Sequence, residues 1–208
     1  MIGQLPFRID TEHFTTLAVL ETSSIAQGIE ALDAIIKEAA IQVLLAAAAS
    51  PGKYLVLFTG EVDEAVRSLA RGIEVAADTL VDDLLLPSVA NSLAACLTRK
   101  GEPPSFPQRG PLPALGVLET YSGPSLLGAA DTAVKTGNST LLEVHLLAGI
   151  GGKSTALLYG DVESVRVAVD AGAEFALQRE QLARQVVIPQ PARAMLRFLT
   201  RGEARSGK

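Results

Sequence analysis

Apolar and polar positions along the chain fall into a short order of elements that is written twice. Thr15–Glu21 is apolar and rich in β-branched residues, which predicts a strand. Ser23 or Ser24 can then cap a helix on which Ile25, Ile29, Leu32 and Ile36 recur at helical spacing. Ile41–Ala49 and Tyr54–Thr59 flank the Ser-Pro-Gly turn at 50–52 and predict paired strands, with the alanine run leaving the first ambiguous. Gly60 closes that pair. Glu61–Ala77 reads as a second helix with acids in its first turn, where the helix dipole favours them. Leu80–Leu86 predicts a last strand stopped by Pro87, and Ser88–Leu97 a short closing helix. In the second half Pro124 suits a first helical turn, and Asp161 and Glu163 open the second helix. The order β-α-β-β-α-β plus a short helix predicts an α+β, ferredoxin-like unit: a four-stranded antiparallel sheet with flanking helices.

The repetition extends to the residues. Residues 17–38 align with 115–136 at an offset of 98. Leu17/Leu115, Val19/Val117, Leu20/Leu118, Glu21/Glu119, Thr22/Thr120, Ser24/Ser122, Ala31/Ala129, Asp33/Asp131 and Lys37/Lys135 are identical. At an offset of 100, Lys53 meets Lys153, Gly60 meets Gly160 and Val62 meets Val162; at 102, Pro87 meets Pro189. Landmarks kept in order with two short slips mark a tandem duplication. The domains are expected at 15–98 and 113–199, with tails at 1–14 and 200–208. The segment 99–112 between them, with four prolines and two glycines, reads as an extended linker.

Composition narrows the class. Hydrophobic residues are 48% of the 208 but aromatics only 4%. With a mean hydropathy of +0.30, such a chain is expected to bury surface against copies of itself. The stretch 43–49 is far too short to span a bilayer, and the first ten residues lack a leader's basic start and apolar core. A net charge of −5 without a basic block argues against nucleic-acid binding. One cysteine, Cys96, excludes an internal disulfide framework and fits a reducing cytoplasm. With only His13 and His145 beside it, one chain cannot build a zinc site.

The loop before the third strand is the most informative local feature. It reads Ser50-Pro51-Gly52-Lys53 in one repeat and Gly149-Ile150-Gly151-Gly152-Lys153 in the other. Small residues at a strand junction permit positive φ and close approach of backbones. An ordinary hairpin turn stands beside the reading that both loops line something shared. Gly-Gly-Lys-Ser-Thr at 151–155 mimics a P-loop, but position 147 is Leu and a strand is expected next, so nucleotide hydrolysis is not expected. Asp33/Lys37 and Asp131/Lys135 are i, i+4 pairs, either surface ion pairs or lysines at a subunit edge. Glu21 and Glu119 read as exposed or capping acids, His145 as a packed or edge residue, and Cys96 as a small core residue. No nucleophile–base–acid set can be assembled, so the chain is not expected to be an enzyme.

The pattern VLET–S, then (A)D…K, a glycine-rich loop ending in Lys, and G-(D/E)-V resembles the bacterial microcompartment (BMC) shell domain. Two copies in one chain are similar to the tandem-domain, trimer-forming class of shell proteins. This resemblance implies three chains in a flat, six-domain pseudohexamer that serves as a structural tile of a shell in the bacterial cytoplasm. Its partners would be hexameric and pentameric shell proteins, with encapsulated enzymes as further candidates. Ser50, Pro51, Gly52, Ile150, Gly151 and Gly152 would line a central pore for small polar metabolites. Lys37 and Lys135 match the family's tile-edge lysine. The unpermuted helix order sets the chain apart from the gated, stacking type. A cluster-bearing relative in this class has Cys where this chain has Ser50, so neither an iron–sulfur cluster nor any other cofactor is expected. Gln190 replaces the Arg of the family's Pro-Arg-Pro edge motif. The rival reading is a trimeric ferredoxin-like regulator that binds a ligand through the same loops.

Overall fold

A computed structural model describes residues 14–98, 113–146 and 151–195. The linker, residues 1–13 with His13, the C-terminal tail and Ile150 lie outside the described residues, whereas Phe14 of the expected N-terminal tail is buried in the core. The first repeat comprises β1 (Leu17–Thr22), α1 (Ile25–Glu38), β2 (Gln42–Ala49), β3 (Lys53–Thr59), α2 (Val62–Ala76), β4 (Leu80–Leu86) and α3 (Asn91–Thr98). The second comprises β5 (Ala114–Thr120), α4 (Gly123–Thr136), β6 (Thr140–His145), β7 (Ser154–Gly160), α5 (Val162–Gln178) and β8 (Leu182–Ile188). Each repeat folds into one four-stranded sheet, ordered β2-β3-β1-β4 and β6-β7-β5-β8, with every neighbouring pair antiparallel. The two registers correspond: β1 places Glu21 opposite Asp82, and β5 places Glu119 opposite Arg184.

Local chemistry sets the element ends. Ser24 caps α1 by accepting from the Gln27 N–H, and Ser122 caps α4 by accepting from that of Ser125. Asp161 caps α5 through Ser164. Each such cap contributes about 1 kcal/mol. The alanine run resolves as strand because Ala46, Ala47 and Ala48 pair with Val56, Leu55 and Tyr54 of β3. After Lys153 the chain continues directly into β7, so no helix N-terminus follows the P-loop mimic. The short closing helix starts at Asn91 rather than Ser88. Tertiary bonds take up the intervening backbone instead: the Val89 N–H donates to the Thr15 carbonyl and the Ala90 N–H to the Asp131 carboxylate.

Strand β1 has no exposed residue, and its two faces serve different partners. Ala18 and Leu20 pack with Val56, Phe58, Ala31, Ile35 and Leu69 under the repeat's own helices α1 and α2. Leu17 and Val19 belong to a larger core with Leu55, Leu57 and Leu84 that continues into Leu126, Leu127 and Ala130 of α4. One hydrophobic core therefore runs across the boundary between the repeats, with α4 packed on β4. Among the described residues the matching face of the second sheet carries a small cluster of Leu115, Leu142 and Leu157, flanked by half-buried Val117, Tyr159 and Ile188.

Candidate functional site

The two β-hairpin loops meet beside the seam between the repeats. Ser50, Pro51 and Gly52 are exposed, and the Ser50–Pro51 peptide is cis. Gly52, Gly151 and Gly152 have φ of +85°, +67° and +80°, a region that favours glycine. A Cβ at Gly52 or Gly151 would meet nothing within 4 Å, so these tips face open space. A Cβ at Gly152 would lie 2.9 Å from Pro51 Cδ and 3.3 Å from Lys53 Cε, which places the second-repeat loop directly on the first. Lys53 ties them: its ammonium donates to the carbonyl of Tyr121 at 2.9 Å and lies 3.5 Å from that of Gly152.

Behind the loops, Lys53 pairs with Glu21 at 2.6 Å. Glu21 is not the exposed acid that its strand-end position suggests. It is fully buried, because the second repeat closes over it, and its other carboxylate oxygen accepts the Gly123 N–H at 2.7 Å. It does cap a helix, but the helix belongs to the other repeat. Burial raises its pKa, and the Lys53 ammonium and the Gly123 N–H partly offset that. Asp82 on β4 completes the seam. Its carboxylate accepts from the Ser122 hydroxyl, from the Ser125 N–H at 3.0 Å and from the Ser125 hydroxyl at 2.6 Å. Arg179, at the end of α5, reaches the same carboxylate at 2.5 Å and the Asp83 carbonyl. Nothing in a single-repeat reading marked Asp82 or Arg179. The available signal was α4 itself: Gly123–Ala130 carries no charged residue, as befits a helix buried on both sides.

The second repeat has the same parts without the cover. Lys153 pairs with Glu119 at 3.2 Å, both part-exposed, and its ammonium stands 5.8 Å from the Tyr121 ring centroid. Lys135 pairs with Asp131 at 2.6 Å and donates to the Ser88 carbonyl of the first repeat. Lys37 pairs with Asp33 at 2.5 Å, and both are well exposed. His145 sits on edge strand β6, 3.0 Å from Glu143. Cys96 is packed against the core with its Sγ 3.6 Å from the Leu141 carbonyl. Burial, helped by Glu143, pushes its thiol up to about 11. Among the described residues no group of three His, Cys, Asp or Glu could hold a metal ion, and no helix is long and apolar enough to cross a membrane.

The defining pattern of the BMC domain matches residues 16–89 and again 114–191. The chain belongs to the BMC domain family. Its two BMC domains lie in tandem, each with the four-stranded sheet and flanking helices described above. Among similar proteins is the bacterial microcompartment shell protein PduT of Citrobacter freundii, 37% identical over 89% of this chain and 98% of that protein. The carboxysome assembly protein CcmO of Synechococcus elongatus is 27% identical over 92% and 71%. A microcompartment protein from Desulfitobacterium hafniense DCB has a crystal structure similar to this fold, with a TM-score of 0.75 and 39% identity over 89% of this chain and 99% of that one. The loop at 50–52 offers a hydroxyl from Ser50 and no thiolate, and the chain's one cysteine is a protonated thiol on α3, so the residues present do not suit an iron–sulfur cluster.

Proposed function

We propose that this tandem BMC protein is a non-enzymatic shell tile of a bacterial microcompartment, a homotrimer whose six domains form a pseudohexameric ring around a pore. The observation that carries this reading is the unequal covering of equivalent surfaces. In α4, Gly123 and Leu127 are buried against the first repeat. Their counterparts in α1, Ile25 and Ile29, are 40% and 52% exposed, and Ile36 further along is 51% exposed. On the sheet edge, Leu84 of β4 is buried while its counterpart Val186 of β8 is exposed. One chain thus presents an uncovered helix at one end and an uncovered sheet face at the other, and each fits the other as α4 fits β4. Such head-to-tail surfaces extend until a ring closes, and two domains per chain bring six to the ring with three chains.

In that ring the loops at 50–52 and 150–152 gather three times each around the axis. Their glycine amides and the Ser50 hydroxyl give a small, polar lining suited to small polar metabolites rather than to a metal cluster. Lys37 and Lys135 lie on the rim, where hexameric and pentameric shell proteins adjoin. Among the described residues the loop tips at Gly52 and Gly151 face open space, and the charges behind them, Lys53 and Glu21, are paired with each other, which does not favour the regulator reading. Native mass spectrometry of the full chain should give 3 × 21.7, about 65 kDa. A monomer at micromolar concentration would overturn the reading.

A further inference from the structure

The seam inside the chain has a definite polarity: the acid, Asp82, is on the sheet edge, and the base, Arg179, is at the end of a helix of the other repeat, 2.5 Å away. At the equivalent positions on the uncovered surfaces the chain does not repeat these residues. Opposite Glu119, where the first repeat has Asp82, β8 carries Arg184, and it is exposed. Where the second repeat has Arg179, the first has Ala77 at the end of α2. Where α4 has Ser125 and Gly128, α1 has Gln27 and Glu30.

These changes are placed to meet one another. A Cβ on Gly128 would lie 2.2 Å from Phe175 Cε1 of its own repeat and 3.2 Å from Leu84 Cδ1, so position 128 of α4 sits between α5 and position 84 of β4. Asp82, two residues before Leu84 on the same strand face, faces Ser125, one turn earlier on α4. Carried to the uncovered pair of surfaces, Val186 faces Glu30 and Arg184 faces Gln27. An arginine is long enough to reach from Gln27 across one turn to Glu30. Glu30 is exposed, and its carboxylate already accepts from the Gln27 amide at 2.8 Å, which turns it toward that neighbour.

We propose that Arg184 of one copy pairs with Glu30 of the next, so that the seam between chains carries the reverse polarity of the seam within a chain. This rests on the ring reading above and adds to it the residues that select the contact. The reversal discriminates between pairings. A β8 edge set against another second repeat would bring Arg184 to Arg179. A β4 edge set against another first repeat would bring Asp82 to Gln27 and Leu84 to Glu30, and Ala77 would offer the acid no base. The first mismatch sets like charges together and the second leaves two carboxylates without a cation, so the alternating order of repeats is favoured.

Sedimentation of the full chain over a dilution series tests this. Arg184→Glu and Glu30→Arg should each raise the concentration at which the trimer dissociates by at least about tenfold. The double variant Arg184→Glu/Glu30→Arg should return it towards that of the wild type. Both positions are exposed, so circular dichroism should show every variant folded. Single variants that dissociate like the wild type, or a double variant no better than the worse single, would overturn the pairing. A wild-type chain that never trimerises would overturn the ring itself.

Discussion

Glu21 shows how much a single side chain can owe to a distant part of the sequence. Its place at the end of an apolar strand says little, yet 102 residues further on the Gly123 N–H points at its carboxylate. Three functions converge on it: partner to Lys53, cap for α4, and filler of the seam. Glu21→Ala removes all three and should cost about 3 kcal/mol in urea unfolding of the chain, as when one half of a buried pair is deleted. Glu21→Gln keeps an acceptor for Gly123 and should cost less. The direction of the pH effect also follows. Because burial raises the folded-state pKa, the folded chain holds that proton more tightly than the unfolded one. This group's contribution to stability therefore falls as pH rises from the unfolded value near 4.5, and Glu21→Gln should flatten that part of the profile.

At the scale of elements, α1 and α4 descend from the same pattern yet occupy different surroundings. Both begin with a capping serine and end with an Asp–Lys pair. Between those ends, α1 keeps isoleucines and Glu30 while α4 has Leu126, Leu127 and Gly128, all buried. This difference separates folding from assembly. Leu127→Ala empties a fully buried site and should cost about 3 kcal/mol of chain stability, read by denaturant unfolding. Ile29→Asp alters a half-exposed side chain, so the unfolding of the separated chain should hardly change while the trimer is lost on sedimentation. Element types and order were legible because apolar spacing and turn residues are local signals. The start of α3 was not, since it depends on where Val89 and Ala90 find acceptors, one on Thr15 and the other on Asp131 of α4.

Across the whole molecule, the duplication was legible because Leu-Glu-Thr, Asp…Lys and the loop lysines recur at nearly constant offsets. What the pattern could not supply is the relation between the copies. Asp82 and Arg179 lie 97 residues apart and have no repeated partners, so neither spacing nor alignment joins them. The same absence of repetition is informative once the registers are superposed, because a charge present in one copy and reversed in the other points to unlike neighbours.

The continuous core from β1 through α4 means that half of the proposed ring's seams are made before any chains meet. Mass action then changes its exponent. A ring collected from six separate domains would form with the sixth power of their concentration, whereas three pre-joined pairs form with the third. The concentration of the proposed trimer, followed by mass photometry on dilution, should fall with the cube of the free-chain concentration and without intermediates that hold an odd number of domains. Fusion thus makes tile formation less sensitive to how much protein a cell contains.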